Sequence, residues 1–279
     1  MAVSTLEAIV LGIVQGLTEF LPISSSGHVL IVPALFGWPD PGAAFSAVIQ
    51  LGTMAAVLIY FRQDLWNILR AFLHSLVGER TLWRTTDVDA RVGWFIVLGT
   101  IPIGIFGLVF KDQIETAVRS VELVCVVMIG FSFVLLAADR VGARTRGIDS
   151  LTLKDGIIIG LFQVLALVPG VSRSGSTISG GLFLGLNRES ATRYSFLLSV
   201  PAVVLSGLFE LRNVGEAGTG NPGAAPTIIA TVLAFIFGYA AIAFLLRYVR
   251  SHNFNIFIVY RIAVGTIVLA LALTGAIAT

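Results

Sequence analysis

Residues 12–28 read GIVQGLTEFLPISSSGH, and residues 160–176 read GLFQVLALVPGVSRSGS. In both stretches an apolar segment with a glutamine leads to a proline and then to a string of small polar residues, and the second stretch begins 148 positions after the first. The residues that recur at this offset are Gly12, Gln15, Leu17, Ser24, Ser26, Gly27 and Gly37, as Gly160, Gln163, Leu165, Ser172, Ser174, Gly175 and Gly185. The chain is therefore predicted to consist of two related halves, residues 1–140 and 150–279.

The composition is that of a membrane protein. Of the 279 residues, 56% are hydrophobic and 12% are charged, and the mean hydropathy is +0.93. A soluble domain carries about 25% charged residues. Polar groups in such an apolar chain are costly and usually mark a functional site. The lipid bilayer is the predicted environment, and a net charge of +2 does not indicate a nucleic-acid partner.

Six apolar stretches are long enough to cross a bilayer, which takes about 20 residues. They are residues 43–61, 92–110, 119–138, 190–211, 226–248 and 254–275. Residues 3–37 and 155–186 are also apolar, but prolines and the polar strings break each of them into pieces too short to cross alone. Because broken helices are tolerated where their backbone lines a cavity or is buried in protein, we predict two re-entrant helix hairpins.

The predicted fold is an all-α integral membrane protein with a single membrane domain over residues 1–279. Each half supplies one re-entrant helix hairpin followed by three transmembrane helices. An odd number of crossings turns the second half over, so the two repeats are inverted and their hairpins enter from opposite faces. Transporters place their binding sites at the interface of such repeats. The two polar strings are therefore expected to meet near the middle of the membrane.

The basic residues predict which side faces the cytoplasm. In this topology only Lys111, Arg119 and Arg212 fall on one side, and the positive-inside rule makes the other side cytoplasmic. The basic residues on that other side are Arg62, Arg70, Arg80, Arg84, Arg91, Arg140, Arg144, Arg146, Lys154, Arg188, Arg193, Arg247 and Arg250. Both termini are then predicted outside the cytoplasm, with residues 65–77 as an interfacial helix and residues 212–226 as an outer loop.

The second polar string contains groups suited to phosphate. A helix is predicted to end at Pro169 and a new one to begin near Ser174, with Gly175 allowing unusual backbone angles. Free N–H groups at a helix start bind anions, and Arg173 adds a planar, permanently charged fork. The predicted phosphate contacts here are Ser172, Arg173, Ser174, Gly175, Ser176 and Thr177. The alternative for Arg173 is an ion pair with a buried carboxylate, such as Glu19.

The first string supplies a carboxylate and an amide. Gln15 and Glu19 are four residues apart and share a helix face. Their oxygens are of the kind that Mg²⁺ or Ca²⁺ takes, so we predict that they hold a divalent cation. The alternatives are a structural pair between Glu19 and Arg173, and an interhelical hydrogen bond from Gln15.

Ser25 and His28 supply a candidate nucleophile and base. If a helix begins near Ser25, the two side chains share a face within hydrogen-bonding reach, which would join a hydroxyl to its general base. Ser24 and Ser26 are predicted to hold phosphate oxygens or to cap the helix. Three mechanisms stay open: attack by Ser25 with His28 as base, direct attack by His28, and attack by a water that Glu19 activates. A histidine that merely caps or packs is the remaining alternative.

At these two strings the chain resembles the undecaprenyl-pyrophosphate phosphatases, also called bacitracin-resistance proteins. Residues 15–22 followed by 24–28 are similar to the family's first motif, whose first position is Glu or Gln and is here Gln15. Residues 169–177 are similar to its second motif, Pro-Gly-x-Ser-Arg-Ser-x-x-Thr, and the similarity extends over nearly the whole chain. The resemblance implies a bacterial inner-membrane hydrolase that removes one phosphate from undecaprenyl pyrophosphate on the outer side. It also implies recycling of the carrier lipid for cell-wall synthesis and a need for divalent cations.

The predicted function is therefore hydrolysis of undecaprenyl pyrophosphate to undecaprenyl phosphate and inorganic phosphate. The predicted catalytic residues are Ser25, His28, Glu19 and Arg173. The rival function is a transporter or flippase for a prenyl phosphate or another anion, since inverted repeats with a central anion site suit a carrier equally well. A carrier needs no nucleophile, so Ser25 and His28 favour the enzyme. The oligomeric state, with a homodimer among the alternatives, is left open.

Overall fold

The computed structural model describes residues 3–40, 42–76, 87–110, 120–210 and 223–277, and within these ranges it is helical, with no strand beyond one isolated bridge. The first half contains α1 (Thr5–Phe20), α2 (Ser25–Phe36), α3 (Gly42–Tyr60), α4 (Arg62–Leu76), α5 (Val88–Val109) and α6 (Val121–Val141). The second half contains α7 (Leu153–Val164), α8 (Arg173–Phe183), α9 (Arg188–Glu210), α10 (Ala224–Tyr248) and α11 (Asn255–Leu273). Two 3₁₀ turns, Ile148–Ser150 and Leu165–Leu167, flank α7.

Among the described helices, α5, α6, α10 and α11 are each long and apolar enough to cross a membrane. The α3–α4 pair also has this composition, but it is bent by 76° at the break between Tyr60 and Arg62. The structure thus supports a multi-pass membrane protein with four spans, or up to five, against the six predicted. The predicted interfacial helix is α4, whose exposed side chains include Trp66 and Leu73. Arg80, Arg84, Lys111, Arg119, Arg212 and most of the predicted outer loop lie outside the described residues.

The predicted span over residues 190–211 corresponds to α9, which is not among these apolar helices. Arg188, Glu189 and Arg193 lie in its first two turns. It packs against α3, α5 and α8 in the centre of the bundle, and Tyr194 and Leu198 on it are completely buried. Apolar composition alone does not separate a helix that faces lipid from one that is enclosed by other helices. The prediction that residues 190–211 cross the membrane rested on that composition.

Each predicted hairpin is a pair of short helices on either side of a break. α1 contacts α2, and α7 contacts α8. With 16, 12, 12 and 11 residues, these helices are about 17–24 Å long at 1.5 Å per residue, less than the ~30 Å of a hydrocarbon core. The structure therefore agrees with the sequence on where both broken segments lie.

The two hairpins begin with the same capping geometry. Ser4 caps α1 in a reciprocal capping box with Glu7, and Thr152 caps α7 in the same way with Asp155. These residues correspond at the 148-residue offset. A capping box satisfies two backbone N–H groups that the first turn would leave without a partner. The repeat seen in the sequence is thus a repeat of local structure.

The two breaks also share an unusual backbone. Ser24 (φ 76°) and Ser172 (φ 74°) both lie at positive φ, and their hydroxyls accept hydrogen bonds from the amides of Gly27 and Gly175. A non-glycine residue there costs about 1–3 kcal/mol and persists only where its surroundings hold it. The prediction of unusual angles at Gly175 was wrong, because the chain turns before α8 begins and Gly175 is itself helical.

Each hairpin packs closely against a span of the other half. A Cβ atom built on Gly12 of α1 would lie 2.5 Å from the carbonyl oxygen of Ala230 on α10. At the aligned position, a Cβ atom on Gly160 of α7 would lie 2.6 Å from the carbonyl oxygen of Gly99 on α5. Small residues let helix backbones approach in this way, which is how helices associate in lipid. The two halves are therefore interlocked in one bundle.

Ion pairs gather several helix ends at one end of the bundle. The pairs are Arg193 with Asp64, Arg188 with Asp139, Arg250 with Glu189 and Arg146 with Asp155. They join the beginning of α9 to the beginning of α4, to the end of α6 and to the segment after α10. Arg146 also donates to the carbonyl of Leu184, which brings the end of α8 to the same side.

Asp155 at the base of the second hairpin accepts several hydrogen bonds. Arg146 contacts its two oxygens at 3.2 and 2.6 Å, and the amide and hydroxyl of Thr152 each donate to Oδ2 at 2.8 Å. Burial alone would raise the pKa of this carboxyl. The hydrogen bonds from Arg146 and Thr152 outweigh that effect and hold the pKa below its usual value.

We expect Asp155→Asn to lower the free energy of unfolding by about 2 kcal/mol near pH 7, since hydrogen bonds to a charged group are lost. Because the pKa of Asp155 is lower in the folded than in the unfolded protein, its ionised carboxylate stabilises the folded state above the unfolded pKa of about 3.9. This stabilisation is lost as the pH falls through the folded pKa. The deficit should therefore shrink below about pH 4. Unfolding of the detergent-solubilised protein at several pH values measures it, with exposed Lys154→Ala as the control. An equal deficit at pH 3 and pH 7 would contradict this account.

Candidate active site

The two breaks are in direct contact. Nη2 of Arg173 in the second hairpin forms an ion pair with Oε1 of Glu19 in the first. The hydroxyl of Ser174 donates to the carbonyl of Leu21 at 3.0 Å. The two polar strings, far apart in the chain, therefore form one site.

Glu19 is the centre of this site. Its side chain is 4% exposed, and besides Arg173 it accepts a hydrogen bond at Oε2 from Nε2 of Gln15 at 2.9 Å. The hydroxyl of Ser25 donates to the same oxygen at 2.6 Å. A buried carboxylate is stable only when it is paired and hydrogen-bonded in this way. A hydroxyl that already donates to a carboxylate has a base in position to take its proton.

His28 is bound elsewhere than predicted. Its Nδ1 donates to the Ser24 carbonyl at 2.8 Å, since a carbonyl can only accept, and its Nε2 lies 2.9 Å from the hydroxyl of Tyr260 on α11. The two rings are stacked, with planes 7° apart. The predicted hydrogen bond between Ser25 and His28 is not formed, so that expectation was wrong. The reason is that the carbonyl one turn earlier and the tyrosine of a helix distant in sequence engage both ring nitrogens.

A small, open cavity of about 10 Å³ lies beside the Glu19–Arg173 pair, lined by Glu19, Phe20, Arg173, Ser174, Ser195, Phe196 and Ser199. Its walls combine a cation, a carboxylate and three hydroxyls. Arg173 remains 19% exposed although it is paired. Guanidinium and hydroxyl groups around a small cavity suit an oxyanion such as a phosphate.

Comparison with known proteins agrees with this geometry. A family model described as "Bacitracin resistance protein BacA" matches residues 8–267, which include every residue of the cavity. The chain belongs to this family. An undecaprenyl-diphosphatase of Nocardioides sp. is 52% identical over 276 residues, covering 99% of both chains. Undecaprenyl-diphosphatases of Thermobifida fusca (51%, covering 98% of this chain and 91% of the relative) and Mycolicibacterium smegmatis (51%, covering 99% of both) are similar over almost their whole length.

In this BacA-family chain the site includes residues that the sequence did not single out. Ser195 and Ser199 extend from α9 into the cavity, one turn apart, and the hydroxyl of Ser195 lies 2.5 Å from that of Thr177. Both serines lie in a stretch that hydropathy assigned to a membrane span. Their only signal in the sequence was a four-residue spacing of hydroxyls within an apolar segment.

The first string's other serines lie at the edge of the site. Ser24 is buried as the cap of α2, and Ser26 is exposed with its hydroxyl 3.3 Å from that of Ser24. For Ser24 this is the capping alternative that the sequence left open. Neither lines the cavity.

The second string divides between the cavity and the packing of α8. Ser174 faces the cavity, whereas Ser172 caps α8 through the amide of Gly175. Ser176 is completely buried and donates to the carbonyl of Phe162 on α7, so its hydroxyl holds the hairpin together. The prediction that Ser176 faces the ligand is therefore not supported by its position. Thr177 does not line the cavity, and its hydroxyl contacts that of Ser195, which does.

Among the described residues, no group of three or more histidine, cysteine, aspartate and glutamate side chains could hold a metal ion. Glu19 and Gln15 offer one carboxylate and one amide. Mg²⁺ is commonly bound by one or two carboxylates together with substrate phosphates and waters, rather than by a complete protein cage. In the structure Nε2 of Gln15 and the hydroxyl of Ser25 donate to Oε2 of Glu19, and Arg173 pairs with Oε1.

Proposed function

We propose that this chain hydrolyses undecaprenyl pyrophosphate to undecaprenyl phosphate and inorganic phosphate, and so recycles a carrier lipid of cell-wall synthesis. The observation that carries the proposal is the contact of Ser25 and Arg173 with the same buried carboxylate, Glu19. In this proposal Ser25 is the nucleophile, Glu19 the base and Arg173 the phosphate-binding group, and Glu19 and Arg173 line the cavity. The names of the relatives, at about half identity over nearly the full chain, support the same substrate. A carrier would need no such hydroxyl–carboxylate pair.

In the proposed mechanism, the hydroxyl oxygen of Ser25 attacks the terminal phosphorus. Oε2 of Glu19, 2.6 Å away, takes the hydroxyl proton. The bond from the terminal phosphorus to the bridging oxygen breaks, undecaprenyl phosphate leaves, and a phosphoserine remains. Glu19 passes this proton to the departing phosphate oxygen, then takes a proton from an attacking water and returns it to the Ser25 oxygen as inorganic phosphate leaves. Arg173 stabilises the charge on the equatorial oxygens during both transfers.

His28 has a supporting role in this mechanism. It donates to the carbonyl of Ser24 and so holds the backbone of the first break, from which Ser25 extends. Direct attack by a water that Glu19 activates is the alternative, and it forms no phosphoserine.

We also propose that Glu19 and the amide oxygen of Gln15 hold a divalent cation, Mg²⁺ or Ca²⁺, that arrives with the pyrophosphate. The cation would neutralise charge on the phosphate oxygens. The support is the adjacent carboxylate and amide, and the fit of a single carboxylate to Mg²⁺ when phosphates supply other ligands.

The proposed architecture is two inverted repeats with boundaries at residues 1–140 and 150–279. The matched caps and breaks support the repeat, and the helix ends at the charged end of the bundle support the inversion. α3 ends at that end whereas α9 begins there, and α6 ends there whereas α11 begins close to it. In the proposed architecture, corresponding helices run in opposite directions.

We propose that the charged end of the bundle faces the cytoplasm of a bacterial inner membrane. Both termini and the cavity opening would then face outward. The crowding of arginines at that end is the support, through the positive-inside rule. Terminal tags on intact cells should react with a membrane-impermeant reagent. Tags that react only after lysis would reverse the orientation.

The test of the proposed function is phosphate release by the purified protein in detergent. Undecaprenyl pyrophosphate should give one inorganic phosphate and undecaprenyl phosphate per turnover. Chelation with EDTA should stop the release, and Mg²⁺ or Ca²⁺ should restore it. A folded protein that releases no phosphate, but moves prenyl phosphate across the membrane of a vesicle, would establish the transporter instead. Full activity after chelation would remove the cation from the proposal.

A further inference from the structure

Arg261 is a completely buried arginine near the middle of α11. Charged side chains are almost never fully buried unless they are paired. Within the described part of the chain, Arg261 forms no ion pair with a carboxylate. Its charge is instead surrounded by hydrogen-bond acceptors of the backbone. Burying a charged guanidinium without a neighbouring carboxylate costs free energy, so the position of Arg261 calls for a specific explanation.

The guanidinium of Arg261 reaches both breaks at once. Nη1 donates to the carbonyl of Pro22 at 3.1 Å, in the first break, and to that of Val171 at 3.2 Å, in the second. Nη2 donates to Gly170 at 2.8 Å, also in the second break. Its remaining bonds go to α6, from Nη2 and Nε to the carbonyl of Met128 and from Nε to the hydroxyl of Ser132 at 3.0 Å.

The carbonyls of Pro22, Gly170 and Val171 lie at the breaks, where the interrupted helices leave backbone groups without helical partners. In lipid such groups must be satisfied from within the protein. Arginine has five N–H donors in a rigid planar fork, so a single side chain can donate to carbonyls on two separate backbone segments. Lysine has a point charge on a flexible stem and lacks this geometry.

The bonded carbonyls lie very close in sequence to the reactive side chains. Pro22 precedes Ser25 by three residues, and Val171 precedes Arg173 by two. Glu19 contacts both of these side chains, so a shift of one break relative to the other would separate a pair that the mechanism needs.

We propose that Arg261 is the positioning residue of this site, which clamps the two breaks together so that Ser25 and Arg173 meet at Glu19. The inference deepens the proposed function and rests on it for its activity measurement. Arg261 does not touch the cavity; it acts through the backbone.

A double-mutant cycle tests the clamp by activity. Arg261→Lys keeps the charge and is expected to lower kcat/KM about 100-fold, since a misplacement of about 1 Å can cost this much. Arg173→Lys is also expected to lower it about 100-fold. If Arg261 acts through the placement of Arg173, the double variant should be about 100- to 300-fold below wild type, because coupled residues are not additive. A decrease near 10,000-fold, the product of two independent losses, would overturn the proposal.

Hydrogen exchange tests the clamp without reference to activity. Amides in residues 21–28 and 168–176 should exchange about 10-fold faster in Arg261→Lys than in wild type, since their opening costs less without the clamp. The matched control is Arg188→Lys, which weakens the ion pair to Asp139 at the charged end and should leave both segments unchanged. Unchanged exchange in Arg261→Lys would overturn the clamp. If wild type releases no phosphate, the proposed function fails, while exchange still decides the role of Arg261.

Ser132→Ala provides a milder variant if Arg261→Lys does not fold. It removes the side-chain acceptor that Arg261 has among the described residues and leaves its charge in place. Faster exchange at both breaks, with a 3- to 10-fold loss of activity, is expected for a weakened clamp, roughly the effect of one lost hydrogen bond. Activity and exchange equal to wild type would then count against the proposal.

Discussion

Replacing Arg173 by alanine is expected to lower phosphate release from undecaprenyl pyrophosphate by at least about 1,000-fold. Arginines that stabilise a transferring phosphoryl group contribute about 10³–10⁵ to kcat. Alanine removes that charge and also deprives Glu19 of its ion-pair partner. Lysine restores the charge without the planar fork, so Arg173→Lys should recover only part of the loss. The decisive measurement is kcat and KM of the purified variants in detergent.

The control for Arg173 is an arginine in a surface ion pair. Arg250 pairs with Glu189 at the charged end, and its side chain is 64% exposed. Arg250→Ala should stay within about 3-fold of wild type, because exposed ion pairs contribute little. If folded Arg173→Ala protein kept more than a tenth of the wild-type rate, the arginine would not be the phosphate-binding cation of the mechanism.

Loss of either Ser25 or Glu19 is expected to lower kcat by about 10³-fold or more, and loss of His28 by much less. Ser25→Ala removes the nucleophile, and Glu19→Gln removes the base that receives its proton at 2.6 Å. The double variant should be no slower than the single ones, since residues that act as a unit are strongly non-additive. His28→Gln should cost about 10-fold, the scale of a weakened positioning hydrogen bond.

The measurement that separates the mechanisms is a rapid quench with denaturant near neutral pH during turnover, followed by mass spectrometry of the protein, because a phosphohistidine would be lost in acid. Phosphate on Ser25 supports the proposed sequence of steps, and its amount should increase in variants with slow dephosphorylation. Phosphate on His28 would instead make the histidine the nucleophile. Ser46→Ala, on α3 and bonded only to the carbonyl of Gly42 in the structure, is the control and should retain wild-type activity. Full activity of Ser25→Ala would leave water as the nucleophile.

The breaks in the two hairpins were predictable because they depend on local chemistry. Proline cannot continue a helix, and a run of serines offers hydroxyls that cap the next one. The helices indeed end before these runs and begin again at Ser25 and Arg173. The same locality explains the error at Gly175. Glycine is the usual residue at positive φ, but here the serine before each helix takes that conformation.

Most partners of individual side chains were not predictable in this way, although the pair of Arg173 with Glu19 was among the alternatives that the sequence left open. Ser25 and His28 are three residues apart, and their spacing suggested a pair. In the structure Ser25 is hydrogen-bonded to Glu19, six residues earlier, and His28 to Tyr260, 232 residues later. Burial on α9 likewise depends on which helices surround it, which hydropathy does not reveal. Ser195, Ser199 and Arg261 were therefore recognised as parts of the site or its support only from their contacts.

The amino-acid sequence by itself determined the membrane environment, the places where two helices break, and the clusters of polar residues in each break. These properties follow from composition and from spacing over short distances, where one residue restricts its neighbours directly. The tertiary structure alone decided that Glu19 accepts both Ser25 and Arg173, and that Arg261 lies beneath both breaks. Such contacts join residues up to 239 positions apart, and they depend on how whole helices pack, which no short stretch of sequence specifies.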